Sequence, residues 1–237
     1  MQGHDIRFLN FRQWNEQMVK KYNPEEYLRS NRLITWFESK RFKAVKKALA
    51  VSESDLFLDV GCGAGHLLKI IDQGKKIGLD LSVTMLKLAQ KKCSRRTFLV
   101  QADAQNLPFK DSTFDKISST EVIEHIPKPQ QMLAEIVRIA KEDATIVITI
   151  PNENLINLFK TLFFKVRLAR FLFRNDYRPA YRMTDEWHLH TFNLKQFKRL
   201  INKLKDSLTI RQVQAIPFFF LPLRYVITCN KKSKKWH

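Results

Sequence analysis

The chain has 237 residues, 44% of them hydrophobic, and carries 42 Lys plus Arg against 23 Asp plus Glu, a formal charge of +19. That size and apolar content support one folded core with room for a lid and exclude a disordered chain. The charge favours an anionic partner surface, acidic lipid or nucleic acid. Cys62, Cys93 and Cys229 have neither the number nor the spacing for a disulfide framework or a structural zinc site. Sparse cysteine, an N-terminus without an apolar secretory core and the lack of any run of 18 apolar residues predict a cytoplasmic protein.

In chain order, residues 1–50 read as an N-terminal helical cap, with Leu28, Leu33, Trp36, Phe37, Val45 and Leu49 recurring in a basic background. Leu56, Phe57, Leu58 and Val60 suit a strand covered on both faces. It runs into Gly61-Cys62-Gly63-Ala64-Gly65 and then into a helical face opened by Leu67 and Leu68. Glycines there allow a tight turn and close approach of a ligand to the main chain. Asp59, beside the turn, suits a cationic or hydroxyl-rich ligand better than a phosphate.

Residues 75–80 form a second strand ending in Asp80, roughly 20 residues past the glycines, where a carboxylate can accept both hydroxyls of a ribose. A helix opens at Ser82, and residues 97–104 form a third strand ending in Asp103 and Ala104. A fourth strand runs toward Ile117, a helix carries Met132, Leu133, Ile136, Val137 and Ile139, and residues 145–150 form a fifth strand. Residues 153 to about 190 break the alternation. Two apolar stripes over residues 155–174, with Lys160, Arg167 and Arg174 between them, read as a lid helix between protein layers or in a dimer, or as a helix lying on a membrane or over a greasy acceptor. A helix over residues 194–204 and strands over residues 208–215 and 221–228 complete the chain.

Three strand-terminal acids in register, Asp59, Asp80 and Asp103, together with the glycine turn resemble the class I S-adenosylmethionine-dependent methyltransferases, in particular the branch of small-molecule and ubiquinone-pathway enzymes. The resemblance is close over residues 50–150 and loose elsewhere. It implies an α/β fold: a Rossmann-like seven-stranded sheet in three αβα layers, with N-terminal helices and a helical lid inserted after the fifth strand. The whole of residues 1–237 is then one domain: cap 1–50, cofactor core 51–150, lid and acceptor insertion 151–192, C-terminal helix and strands 193–230, and basic tail 231–237. The implied cofactor is S-adenosyl-L-methionine. Asp59, Gly61, Cys62, Gly63 and Gly65 would surround its methionine moiety, Asp80 and Leu81 its ribose, and Asp103 and Ala104 its adenine. Glu121, after the fourth strand, would meet the methionine carboxylate or the sulfonium.

Candidate bases for the acceptor are His125, His188 and His190. Only one of the last two, His188 and His190, is expected to point inward; His188 ranks above His190. Glu121, Glu124 and His125 also resemble a stretch that holds a divalent metal in some ubiquinone-pathway O-methyltransferases, but the reading is a site with no metal. The expected reaction is in-line methyl transfer to a small, lipophilic acceptor, at oxygen. An RNA or protein methyltransferase using the basic surface and a non-catalytic cofactor-binding protein are the alternatives. Lys231, Lys232, Lys234 and Lys235 make a tail suited to an anionic membrane surface. The Asp/Asn-Pro-Pro-aromatic signature of enzymes that methylate exocyclic base nitrogens is missing after the fourth strand, which places nucleic acid behind a small molecule as partner.

Overall fold

Neighbouring residues of the first strand bury themselves in opposite directions, and that alternation sets the architecture. In β1 (Leu56–Val60) Phe57 enters one core and Leu58 and Val60 another, so the sheet is covered on both faces. The computed structural model describes residues 11–29, 32–158 and 187–232. Among these residues, seven strands form one sheet in the order β3-β2-β1-β4-β5-β7-β6. The remaining strands are β2 (Lys75–Asp80), β3 (Thr97–Gln101), β4 (Phe114–Thr120), β5 (Ala140–Pro151), β6 (Leu208–Phe218) and β7 (Leu221–Lys231). β1 to β5 are mutually parallel, while β7 pairs antiparallel with β5 and β6.

Helices layer both faces. On one side α6 (Pro129–Ile139) and α7 (Leu194–Asn202) bury Met132, Leu133, Ile136, Phe197 and Ile201 against Ile146 and Ile148 of β5. On the other, α3 (Arg32–Leu49) and α4 (His66–Ile70) bury Val45, Leu49, Leu67 and Leu68 against Phe57 and Val147. Each fully buried Leu, Ile or Phe contributes roughly 1.5–3 kcal/mol. The cap, α1 (Phe11–Tyr22) and α2 (Pro24–Arg29), is held to α4 and α5 (Val83–Lys92) through Glu25, which pairs with His66 and Lys92. Ser82 caps α5 by accepting from the Met85 N–H at 3.2 Å.

The seven-stranded αβα sheet agrees with the expectation from sequence, apart from differences at element ends. β3 stops at Gln101, so Asp103 and Ala104 stand in the loop beyond it. β5 starts at Ala140, five residues early, through an irregular register against β4 between Phe114 and Lys116. The polar run Lys141-Glu142-Asp143 hides that extension from a hydrophobicity pattern. The helix after β5 is described only over residues 153–158; the rest of the expected lid, and Lys234, Lys235 and Trp236, lie outside the described residues. No helix among the described residues is long and apolar enough to cross a membrane.

Candidate active site

Strand order reverses between β1 and β4, and the crevice beyond the carboxyl ends of such strands is where open α/β sheets take ligands. A cavity of about 700 Å³ opens there. The turn after β1 reaches it through Gly61, Cys62 and Gly63. Gly63 has φ +52, and a Cβ added to it would meet nothing within 4 Å, so its bare main chain faces open space. Gly61 serves a different need: at φ +71 its added Cβ would fall 2.3 Å from Val122. Gly65 does not line the cavity; its added Cβ would strike Cys93 Sγ at 2.5 Å, so this glycine lets α4 and α5 pack closely.

The acids line one end. Asp59 is buried and accepts from the Ser118 hydroxyl at 2.6 Å. Burial, opposed by that bond and reinforced by the Asp80 charge, pushes its carboxyl up to about 7. Asp80 accepts the N–H groups of Gly63 and Ser82, each at 2.8 Å, and burial holds its carboxyl above the usual range. The main chain of the glycine turn is therefore fastened to the acid at the end of the next strand. Leu81 and Ala104 line the same end, as does Asp103, which accepts from the Gln105 N–H at 2.8 Å.

A chain of alternating charges crosses the middle. Arg41 of α3 donates to Glu38 from Nε at 2.9 Å and from Nη2 at 2.6 Å. Arg224 of β7 pairs with Glu38 at 2.9 Å and with Glu121 at 2.7 Å. Glu121 also accepts from Thr149 at 2.8 Å. Both of its oxygens are thus engaged within the protein, and the neighbouring guanidiniums outweigh burial and hold its carboxyl below the usual range. Nη1 of Arg41 is buried without a hydrogen-bond partner, on a residue that lines the cavity. A buried guanidinium N–H in that state marks a place for an anion. Neither Arg41 nor Arg224 stands out in the sequence, where they are two among 42 cations; only the fold brings residues 41 and 224 to the acids.

The third group surrounds His125. Its Nδ1 lies 3.0 Å from the Trp187 carbonyl. A carbonyl only accepts, so Nδ1 carries the proton and Nε2 the lone pair. Burial, with His188 beside it, pushes the His125 ring down to about 3. The His188 ring is 4.7 Å from that of His125, and its Nδ1 is 3.2 Å from Oε1 of the fully buried Glu153. Glu153, invisible as a site residue in the sequence, thus orients His188. His190 is outside the cavity lining; its ring lies 3.3 Å from the Pro127 carbonyl and its N–H donates to the Glu124 carbonyl at 3.2 Å. Glu124 is buried with Oε2 unpartnered, and burial together with the Glu121 charge pushes its carboxyl well above the usual range. Trp187 Nε1 is likewise buried and unpartnered. Glu124, His125 and His188 bring one ligand atom each within 4.8 Å of one another, the one such trio of potential metal ligands among the described residues.

Residues 58–148 match the sequence model of a methyltransferase domain. The demethylmenaquinone methyltransferase of Staphylococcus saprophyticus is 30% identical over 195 residues, 75% of this chain and 82% of that protein. An uncharacterized protein of Methanocaldococcus jannaschii is 33% identical over 153 residues, 63% of this chain and 55% of its own length. The chain spans between 42% and 66% of the length of several such curated relatives. In the solved structures, the methyltransferase bound to the Haloferax volcanii Trm112 activator superposes with a TM-score of 0.65 at 17% identity, covering 92% of this chain and 99% of that one. The fold carries that last likeness, and sequence carries the staphylococcal one across most of both chains. With the glycine turn tied to a strand-terminal acid over an open crevice, they place the chain in the class I S-adenosylmethionine-dependent methyltransferases.

Proposed function

We propose that the chain transfers a methyl group from S-adenosylmethionine to an oxygen of a small, lipophilic acceptor. The observation that carries this reading is a single cavity in which the strand-terminal acids, an unpartnered Arg41 N–H and the His125–His188 pair meet an apolar rim that includes Leu28, Ile34, Phe37, Ile156 and Leu223. The relative named for methylating demethylmenaquinone supports a small-molecule acceptor.

The residues present fit the cofactor. The space beside Gly63 that a Cβ would fill and the orphan Nη1 of Arg41 answer a ligand that lies on main chain and carries a carboxylate. When bound, S-adenosylmethionine supplies an electrophilic methyl on a sulfonium. In this reading Arg41 donates to the methionine carboxylate, Asp59 and Glu121 hold negative charge near the ammonium and sulfonium, Asp80 and Leu81 flank the ribose, and Asp103 and Ala104 the adenine. Cys62 lines the cavity beside Gly63.

His125, neutral and with Nε2 unprotonated, is the proposed base that takes the acceptor's proton, and His188, steadied by Glu153, is the second. His190 acts as a strut for the segment that carries them. Trp187 Nε1 is a donor for the acceptor's oxygen. The apolar rim excludes water, and alignment of the acceptor supplies several kcal/mol of the barrier. Incubating the chain and methyl-labelled cofactor with a lipid and small-metabolite extract, then identifying labelled products by mass, tests the reading. No labelled product from that extract, with label passing instead to RNA or protein supplied in a parallel incubation, would overturn it.

A further inference from the structure

The hairpin between β6 and β7 turns on two residues, Phe219 and Phe220, because Phe218 pairs directly with Leu221. Two-residue hairpin turns favour Gly, Asn and Asp, which tolerate the backbone and face water. Here the turn residues are 86% and 69% exposed, and Phe218 is 42% exposed. The rings of Phe218 and Phe220 stack with centroids 5.1 Å apart, and the centroid of the Trp36 ring of α3 lies 6.1 Å from that of Phe218. Turn formation does not account for these four rings, and neither does burial.

Their position is informative. Arg224 pairs with Pro151 at the end of β5, so the turn projects three residues further, about 10 Å beyond the carboxyl edge of the parallel strands. Leu223 and Arg224, at the base of the projection, line the cavity, as does Phe37 beside Trp36. The aromatic tip therefore stands at the mouth of the acceptor side. Lys40 holds its Nζ 5.3 Å above the Trp36 ring, and the exposed Lys43 and Lys47 continue the same stripe of α3 at helical spacing.

We propose that this tip docks on an anionic lipid bilayer: Phe218, Phe219, Phe220 and Trp36 enter the interfacial region while Lys40 and the cations behind it meet the headgroups. Aromatic rings at headgroup level flanked by Lys are how peripheral elements hold a membrane surface, and the +19 formal charge is complementary to acidic lipid. The exposed share of the four rings amounts to about 500 Å². That is well below the roughly 800 Å² a side of a stable protein interface, and a membrane needs no such minimum. The docking rests on the lipophilic-acceptor reading for its purpose: an acceptor dissolved in the bilayer would reach the cavity at its mouth without crossing water.

The test is sedimentation of the full chain with vesicles of phosphatidylcholine alone and of phosphatidylcholine with phosphatidylglycerol, at 0.1 M salt. We expect binding that requires the anionic lipid and falls at least tenfold in a Phe218→Ser/Phe219→Ser/Phe220→Ser variant, with cofactor affinity as the check of folding. Phe219→Ser alone, at the most exposed ring, carries the test if the triple variant fails to fold, with a smaller loss. Wild-type protein left in the supernatant, or a variant that sediments like the wild type, overturns the proposal. So does a wild-type dimer on size exclusion that the variant turns into a monomer, since a second copy then covers the tip. Labelled product from detergent-dispersed extract without vesicle binding overturns the docking alone; vesicle binding without product supports the docking and removes the methyl transfer.

Discussion

Arg224 donates from Nε to Oε2 of Glu121 at 2.7 Å, joining residues 103 apart in sequence across the floor of the cavity. The same guanidinium pairs with Glu38 at 2.9 Å, so one side chain of β7 neutralises acids from two other parts of the fold. Removing one member of a largely buried pair leaves the others charged and poorly solvated, a loss of about 3–5 kcal/mol. We expect Arg224→Met to lower stability on that scale in denaturant melts. Adding Glu121→Gln should recover part of the loss. Additive losses in that double-mutant cycle would refute the coupling.

Asp59 gives a pH signature. Its carboxyl is raised to about 7 in the fold, against about 3.9 in an unfolded chain. Between about pH 4 and 7 the folded chain therefore holds a proton that the unfolded chain lacks, and the stability of the ligand-free protein falls as pH rises through that window. Cofactor affinity should move the other way, rising with pH through about 7 as the anion that faces the ammonium forms. Thermal melts and calorimetric titrations from pH 5 to 8 measure both, and Asp59→Asn should flatten both slopes. An affinity independent of pH in the wild type would remove Asp59 from the cofactor.

The glycines should separate by experiment. Gly63→Ala places a methyl in the cavity at φ +52, so cofactor affinity should drop at least tenfold, with a stability cost of about 1–2 kcal/mol from the left-handed backbone. Gly65→Ala drives a methyl into Cys93 Sγ and should chiefly lower the melting temperature. Equal effects on affinity from the two variants would contradict the geometry.

For the histidines, His125→Ala is expected to lower kcat by roughly a hundredfold, the low end for a positioned base because its ring is a weak one. With its ring held down at about 3, His125 stays neutral from pH 5 to 8, and the wild-type profile should show no limb from it. Glu153→Gln should lower kcat about tenfold while cofactor affinity stays the same; a change in melting temperature alone would make Glu153 merely structural.

Chelation tests the remaining use of Glu124, His125 and His188. Methyl transfer with a positioned base needs no metal, and we expect full activity after exhaustive dialysis against EDTA. Loss of turnover that one divalent ion restores would instead assign the trio a cation.

Much of this fold could be read from residue pattern because its signals are local. Phe57 and Leu58 in one short apolar run, or Lys75 to Asp80 after a helix, each carry their own strand signature. The site was readable only where it rests on such strands. Glu121 looked free for a ligand because nothing near it in sequence announces Arg224, and the partner arrives through antiparallel pairing of β7 with β5. The three glycines of the turn look alike in sequence; Val122, open space and Cys93 tell them apart. Orphan atoms such as Arg41 Nη1 and Trp187 Nε1 have no sequence signature at all, since being unpartnered is a property of surroundings.

The insertion of β7 between β5 and β6 also imposes an order of events on a growing chain. The ribosome delivers Glu38, then Glu121, and only some hundred residues later the cation that serves them both. Until Arg224 is made, Glu121 lacks its 2.7 Å partner and β5 lacks the strand that pairs with its edge. The cavity floor can close only when the last described strand slides into place, which makes the final hairpin the step at which a folded scaffold becomes a competent binding site.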